Sequence, residues 1–131
     1  MPKILVVDDE ADLVRMLEFR LQQEGWEVLA AGDGRTAVDK AQAELPDLVI
    51  LDVMMPLMDG MEVLRQLGYR RETRKIPVVM LTAKTGLFDM NLARELGVKD
   101  YVTKPFDPER LVAVVRKVLR LPPPAATPAN R

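Results

Sequence analysis

Three short, nearly continuous apolar runs limit the folds that this chain can adopt. They cover residues 3–7 (KILVV), 47–51 (DLVIL) and 77–81 (PVVML), and two weaker runs cover residues 26–30 and 100–103. Unbroken runs of Val, Ile and Leu are typical of strands that are buried on both faces, as in parallel sheets. The sequence therefore predicts a parallel sheet with helices packed against both of its sides.

Segments with helical periodicity separate these runs. Leu13, Leu17 and Leu21 recur at helical spacing, and Gly25 is a suitable residue for ending that helix. Four more helices are predicted from Ala37, Ala41 and Leu45, from Leu64 and Leu67 after a cap at Asp59–Glu62, from Leu92 and Leu96 before Gly97, and from Leu111, Val115 and Val118 after Asp107-Pro108. Strand and helix thus alternate five times, which predicts a three-layer, doubly wound α/β fold with five parallel strands and five helices.

The composition excludes several kinds of chemistry. The 131 residues include no Cys and no His, so the chain cannot build a Cys/His zinc site, a Ser-His-Asp triad or a thiol nucleophile, and it cannot carry a phosphohistidine. Any reactive group must therefore come from Asp, Glu, Lys, Thr or the backbone.

Length and charge place the chain among single-domain proteins. We expect one folded domain over residues 1–121, followed at 122–131 (PPPAATPANR) by a Pro/Ala-rich disordered tail or linker. The net charge is −1, and Lys and Arg look scattered, so no direct contact with nucleic acid is expected from this segment. There is no apolar run of about 20 residues and no leader pattern, which favours a cytoplasmic protein without a membrane contact.

Polar residues follow the predicted strands at the points where the strands end. Strand 1 leads into Asp8-Asp9-Glu10, strand 3 into Asp52, strand 4 into Thr82 and strand 5 into Lys104-Pro105. In a doubly wound sheet of order 2-1-3-4-5, ligands bind at the carboxyl ends of strands 1 and 3. Under that order, these side chains meet at one edge of the sheet.

Each of these residues also has an ordinary structural explanation. The acids at 8–10 could lie in the first turn of a helix and interact favourably with its dipole, and Asp52 could be a turn residue before Pro56. Thr82 could cap a helix, and Lys104 could be a solvated loop lysine. Their joint occurrence at the ends of four strands favours a common site.

The chemistry of that site follows from its charges. Two carboxylates about 4 Å apart repel each other by roughly 4 kcal/mol at an effective dielectric of about 20, so three of them require a compensating cation. A cluster of oxygen ligands without His or Cys suits Mg²⁺ or Mn²⁺. Acids, a metal, a lysine and a hydroxyl together are suited to binding a phosphoryl group.

Four segments carry a resemblance to a known family. ILVVDDE at 4–10, LVILDVMMPLMDG at 48–60, VVMLTAK at 78–84 and DYVTKPF at 100–106 occur in order. Over residues 3–120 the sequence resembles the receiver domain of two-component response regulators. The resemblance implies a flavodoxin-like sheet of order 2-1-3-4-5 and a phosphoacceptor with self-catalysed phosphorylation and dephosphorylation, rather than an enzyme.

The resemblance also implies roles for individual residues. Asp52 would take a phosphoryl group from a phosphohistidine on a sensor histidine kinase or phosphotransfer protein. Asp9, Asp52 and the backbone carbonyl of Met54 would bind the metal directly, and Asp8 would act on it mostly through water. Thr82 and Lys104 would contact the phosphoryl group, Thr82 and Tyr101 would form the switch, and Lys104–Pro105 would be a cis peptide.

Further implications concern signalling output. The positions of Met54 and Lys84 tune dephosphorylation in this family, and neither side chain is suited to orienting a water, so we predict a long-lived phosphoryl state. Asp100 and Arg116 would belong to the face of a homodimer formed on phosphorylation. The switch would control an output domain or a partner protein through the face of helix 4, strand 5 and helix 5.

Three alternative functions remain at this level. A phosphatase of the haloacid-dehalogenase type also places a nucleophilic Asp after a strand, but it needs a second Asp two residues later, where this chain has Met54. A nucleotide-binding module would need a glycine-rich loop after strand 1, where three acids stand instead. The third is an inactive receiver that serves only as an interaction module, which the complete set of acids, Thr and Lys disfavours.

Overall fold

The structure, a computed structural model, describes residues 1–83 and 90–122. In that part of the chain, strands and helices alternate as β1 (Lys3–Val7), α1 (Ala11–Gln22), β2 (Glu27–Ala31), α2 (Gly34–Glu44), β3 (Leu48–Asp52), α3 (Gly60–Tyr69), β4 (Val78–Ala83), α4 (Met90–Glu95), β5 (Val98–Lys104) and α5 (Pro108–Val118). The strands form one parallel sheet of order β2-β1-β3-β4-β5. The predicted fold class and strand order are therefore confirmed.

The apolar runs are continuous because both faces of the sheet are covered. Along β1, Ile4 and Val6 pack into a core with α1 and α5, whereas Leu5 and Val7 pack into a second core with α2 and α3. All five residues of β3 are buried. Successive side chains of a strand point to opposite faces, so a strand covered on both sides needs apolar residues at nearly every position.

The helix ends follow the predicted caps in part. Asp59 accepts a hydrogen bond from the backbone N–H of Glu62, and Asp107 caps α5 with Pro108 as its first residue. The Glu62 side chain accepts a hydrogen bond from Gln66 at 2.9 Å. Among the described helices, none is both long and apolar enough to span a bilayer.

Some element boundaries differ from the predicted ones. β2 and β3 each begin and end one residue later than expected, so Asp52 is the last residue of β3 rather than the first residue after it. Asp52 pairs in register with Leu81 of β4, which extends the strand beyond its last apolar residue. α1 ends at Gln22, and Gly25 takes a φ of 85° in the turn that leads to β2.

Candidate functional site

Three carboxylates meet at the carboxyl edge of the sheet. Asp8 and Asp9 directly follow β1, Asp52 ends β3, and these two strands are neighbours. One carboxylate oxygen from each lies within 4.8 Å of the others. Asp8 and Asp52 are only 1% and 4% exposed, while Asp9 is open to solvent. The Asp8 side chain is held in place by the backbone N–H of Glu10, which donates to its Oδ1 at 2.9 Å.

Lys104 brings a positive charge into this cluster from the end of β5. Its Nζ donates to Asp8 Oδ2 at 2.8 Å and to Glu10 Oε1 at 3.3 Å, and it lies 3.6 Å from Asp52 Oδ1. The peptide bond between Lys104 and Pro105 is cis. The contact of Lys104 with Glu10 joins residues 94 positions apart, and both residues follow or end strands at the same edge of the sheet.

Burial sets the ionisation of Asp52. Loss of water around its carboxylate, together with the nearby charge of Asp8, raises the pKa of Asp52 to about 6, and Lys104 opposes the shift. Burial alone would lower the pKa of the Lys104 ammonium, but its hydrogen bond to Asp8 and the charge of Asp52 raise that pKa overall. Asp52 is thus a carboxylate that is ionised at neutral pH but incompletely solvated.

The proposed switch residues lie on neighbouring strands. Thr82 is buried near the end of β4, and its hydroxyl donates to the carbonyl oxygen of Ala83 at 3.2 Å. Tyr101, on β5, stands opposite Met80 in the register and is 37% exposed. Thr82 therefore lies two residues nearer than Met80 to the edge that carries Asp52.

The loop after β3 is held against the carboxylate cluster. The backbone N–H of Met54 donates to Asp52 Oδ1 at 3.3 Å, and the N–H of Gly60 donates to the carbonyl of Val53 at 2.9 Å. A Cβ built on Gly60 would lie 2.3 Å from the backbone oxygen of Asp52. Gly60 is therefore a positioning residue, although its place in the sequence indicates only the start of a helix.

Two of the predicted residues are not brought together. Arg116 contacts Glu24, stacks 5.5 Å from the centre of the Trp26 ring, and donates to the carbonyl of Pro122 at 2.8 Å. Asp100 instead lies 3.8 Å from Lys117. The homodimer through Asp100 and Arg116 stays a prediction of the resemblance. Lys84 lies outside the described residues, as do residues 123–131 of the predicted tail.

A comparison with family models gives the class of this site. The model described as the response regulator receiver domain matches residues 4–116, which include the three acids, Thr82 and Lys104. The chain belongs to the response regulator receiver family.

Relatives of this receiver domain support the assignment. It is 49% identical over 118 residues to the alkaline phosphatase synthesis transcriptional regulatory protein PhoP of Bacillus subtilis. The aligned region covers 90% of this chain and 48% of that protein. The chain thus spans about half the length of this curated relative.

Solved structures agree with the fold. The chemotaxis protein CheY4 of Vibrio cholerae superposes with a TM-score of 0.84 at 36% identity, over 90% of this chain and 98% of that one. The receiver domain of the sensor histidine kinase PA1611 of Pseudomonas aeruginosa, with a magnesium ion coordinated in its active-site cleft, gives 0.82 at 27% identity over 91% and 98%. This chain is therefore a two-component receiver domain with a CheY-like fold.

Proposed function

We propose that Asp52 accepts a phosphoryl group from a phosphohistidine of a sensor histidine kinase or phosphotransfer protein. The observation that carries this proposal is the surroundings of Asp52: two further carboxylates have an oxygen within 4.8 Å of its own, and the Lys104 ammonium is 3.6 Å away. A buried acid in such a cluster is placed for chemistry on a charged group rather than for stability.

The transfer step uses the ionised form of Asp52. A carboxylate oxygen attacks phosphorus, a P–O bond forms and the P–N bond of the phosphohistidine breaks. The electron pair stays on the imidazole nitrogen, which takes up a proton, and the product on this chain is an acyl phosphate. Because the pKa of Asp52 is about 6, the attacking form predominates at pH 7 and above.

The donor set fits a hard divalent cation. Asp8, Asp9 and Asp52 supply carboxylate oxygens, and the backbone carbonyl of Met54 would complete the protein ligands for Mg²⁺ or Mn²⁺. When bound, the cation would neutralise the carboxylates and the phosphoryl oxygens. Lys104 would pair with one phosphoryl oxygen, and the Thr82 hydroxyl would donate to another.

The same residues provide a route to signal output. We infer that Thr82 moves toward the phosphoryl group and that the Tyr101 ring turns inward, which would favour an alternative state of the face formed by α4, β5 and α5. This face would control an output domain or a partner protein. The curated relative is named a transcriptional regulatory protein, and we propose a comparable regulatory output for the protein that contains this receiver.

The proposed domain boundary follows from the contacts near the end of the described chain. Leu121 packs against the core beneath α1 and α5, and the Leu121 N–H donates to the carbonyl of Arg116 at 2.8 Å. We propose that the folded receiver covers residues 1–121 and that 122–131 form a linker or tail.

Labelling with acetyl phosphate tests the function. We expect Mg²⁺-dependent incorporation of about one phosphoryl group per chain, lost in Asp52→Asn and after chelation of the metal. The exposed Asp39→Asn is the matched control and should label as the wild type does. Retention of the label in Asp52→Asn would contradict the assignment, and catalytic turnover of a phosphoester would favour the phosphatase.

The lifetime of the label tests the prediction for the positions of Met54 and Lys84. Because neither side chain is suited to orienting an attacking water, the purified phosphoprotein should lose its label slowly. A Met54→Asn variant, which offers an amide to a water, should lose it faster. Rapid loss from the wild type would contradict a long-lived phosphoryl state.

A further inference from the structure

A strongly basic segment lies at the end of the molecule opposite Asp52. Residues 65–75 (RQLGYRRETRK) contain five Arg or Lys and one Glu, within a chain of net charge −1. They form the end of α3 and the loop that leads to β4, at the amino edge of the sheet. The expectation that Lys and Arg are scattered along the chain is therefore wrong for this segment.

Few of these positive charges are neutralised within the described part of the chain. Arg65 has an acidic partner 3.4 Å away in α3, whereas Arg70, Arg71, Arg74 and Lys75 form no ion pair with a described residue. Arg71, Arg74 and Lys75 are exposed. The Nη1 atom of Arg70 is buried and has no hydrogen-bond partner among the described residues. The exposed and unpaired cationic groups of Arg71, Arg74 and Lys75 are suited to pairing with carboxylates of another molecule.

An apolar cleft adjoins the basic segment. It has a volume of about 420 Å³ and lies between α3 and the end of α4. Leu64, Tyr69 and Leu96 supply its apolar lining, and Arg65, Arg74 and Glu95 its charged lining. Tyr69 is 74% exposed, although an aromatic ring usually contributes to stability by being buried. The volume is within the range of about 300–1,000 Å³ that is typical of ligand pockets in proteins.

We propose that this surface, residues 65–75 together with the cleft, binds an acidic segment of a partner protein that carries one or two aromatic or large aliphatic residues. The carboxylates of the segment pair with Arg71, Arg74 and Lys75, and the apolar side chain enters the cleft beside Tyr69 and Leu96. Arg and Tyr are the residue types that contribute most to protein interfaces. The proposal does not depend on phosphorylation of Asp52.

Charge and shape favour a protein segment over nucleic acid. Nucleic-acid binding depends on many phosphate contacts spread along a basic surface, whereas this positive region is confined to one short segment. An apolar side chain that enters a cleft adds an attraction that bare phosphates do not use.

Fluorescence anisotropy with a defined peptide tests the proposal. The probe is a fluorescein-labelled 12-residue peptide with three acidic residues on each side of a central Leu-Phe pair, titrated with the full chain at low salt. We expect Arg71→Glu combined with Arg74→Glu to weaken binding at least tenfold. Tyr69→Ser should weaken it about fivefold, as should replacement of the Leu-Phe pair by Ser-Ser.

The matched control reverses two exposed charges elsewhere. The double variant Arg15→Glu with Arg35→Glu changes the net charge by the same amount as the Arg71/Arg74 variant. Both side chains are at least 75% exposed, and each has one acidic neighbour at a distance of 3.8 Å. This variant should bind within twofold of the wild type. Equal weakening in both double variants, no binding to the wild type at 1 mM, or no effect of the Ser-Ser replacement would each overturn the proposal.

Two further outcomes would assign the surface to another occupant and so overturn the proposal. A random 20-base-pair duplex that binds more tightly than the peptide and depends on Arg71 and Arg74 would indicate nucleic acid. Self-association that is seen by sedimentation and abolished by the Arg71/Arg74 variant, without peptide binding, would indicate a second copy of this chain. Circular dichroism of each variant confirms that the fold is retained.

Discussion

The carboxylate of Asp52 is buried where an ionised group is costly. Its pKa in the folded protein is about 6, above the ordinary value of 3.8. The folded state therefore holds this proton more tightly than the unfolded state, and the resulting stability is fully present below pH 3.8 and is lost as the pH rises through 6. A shift of this size corresponds to roughly 3 kcal/mol, so the metal-free domain is destabilised at neutral pH by the residue that we propose as phosphoacceptor.

This cost predicts a stabilising substitution. Asp52→Asn removes the charge at every pH, so it should raise the free energy of unfolding by about 2 kcal/mol at pH 7.5 in metal-free buffer. The gain should shrink between pH 6 and pH 4, where the wild type itself becomes protonated. Urea unfolding followed by the fluorescence of Trp26 measures both values.

The exposed Asp39→Asn is the control and should change stability by less than 0.5 kcal/mol, as surface substitutions usually do. A variant Asp52→Asn that is less stable than the wild type at pH 7.5, or a difference that does not vary with pH, would contradict the electrostatic interpretation.

The sequence predicted which residues share the site better than it predicted which of them are in direct contact. Asp8, Asp52 and Lys104 were predicted to share one site because each ends or follows a strand of one parallel sheet. The strand order then places these strand ends at the same edge. Glu10 and Lys104 were also placed at this edge, but the direct contact between them at 3.3 Å depends on side-chain conformation. No periodicity or spacing encodes that detail.

The beginning of α3 shows how one element positions another. Gly60, the first residue of α3, packs directly against the backbone at the end of β3. A Cβ at this position would be 2.3 Å from the backbone carbonyl oxygen of Asp52 and 2.9 Å from the Val53 Cα. Real Cβ atoms do not approach backbone so closely, so any side chain here must displace the helix or the end of the strand. The position of Asp52 thus depends on the absence of a side chain at Gly60, the first residue of α3.

Two Gly→Ala substitutions in α3 separate this constraint from helix propensity. At Gly68 a Cβ meets nothing within 4 Å, so Gly68→Ala should stabilise the domain by about 0.5–1 kcal/mol, as Ala normally does in a helix. Gly60→Ala should destabilise it by about 2 kcal/mol or more through overpacking, and it should slow labelling of Asp52 by acetyl phosphate. Urea unfolding and the labelling rate measure the two effects, and equal stability of the two variants would contradict the close approach.

Element boundaries were harder to predict than element types. β3 extends through Asp52 because pairing with Leu81 continues there, whereas a pattern of apolar residues ends at Leu51. α2 begins with a cap at Asp33, whose Oδ1 accepts from the Thr36 N–H at 2.8 Å, and this cap lacks the acidic third residue that marks the start of α3. Local hydrogen bonds of this kind leave weaker traces in a sequence than the apolar periodicity does.

Over the whole molecule, charge is segregated although the sum is near zero. Acids gather at the carboxyl edge around Asp52, and the segment 65–75 places basic residues at the amino edge. The net charge of −1 does not reveal this separation of acidic and basic residues, which is apparent only when charge is counted by segment. On our proposals, the acidic end binds a divalent cation and the basic end binds carboxylates.

A separate ionic network joins the first and last helices of the described chain. Arg20 of α1 binds Glu109 of α5 at 2.5 and 2.6 Å and Glu24 at 2.8 Å, and Glu24 also accepts from Arg116. The Arg116 guanidinium lies 5.5 Å from the centre of the Trp26 ring. Glu24 is thus the shared anion between two guanidinium groups, and its side chain is only 14% exposed.

The shared position of Glu24 predicts a stability change with a defined pH dependence. The hydrogen bond from Arg20 is the main cause that lowers the pKa of Glu24 below its ordinary 4.5, burial opposes it, and the hydrogen bond from Arg116 adds to the lowering. The stability from the ionised form is therefore present above pH 4.5 and is lost as the pH falls through the lower, folded-state pKa.

Glu24→Gln should reduce the free energy of unfolding by about 1–2 kcal/mol at pH 7, because it leaves two cations without their common partner. The difference should shrink as the pH falls toward 3, whereas Glu72→Gln, at an exposed acid, should have little effect at either pH. Urea unfolding at pH 7 and pH 3 makes the comparison, and a loss that persists undiminished at pH 3 would mean that side-chain packing, not charge, holds α1 and α5 together at this point.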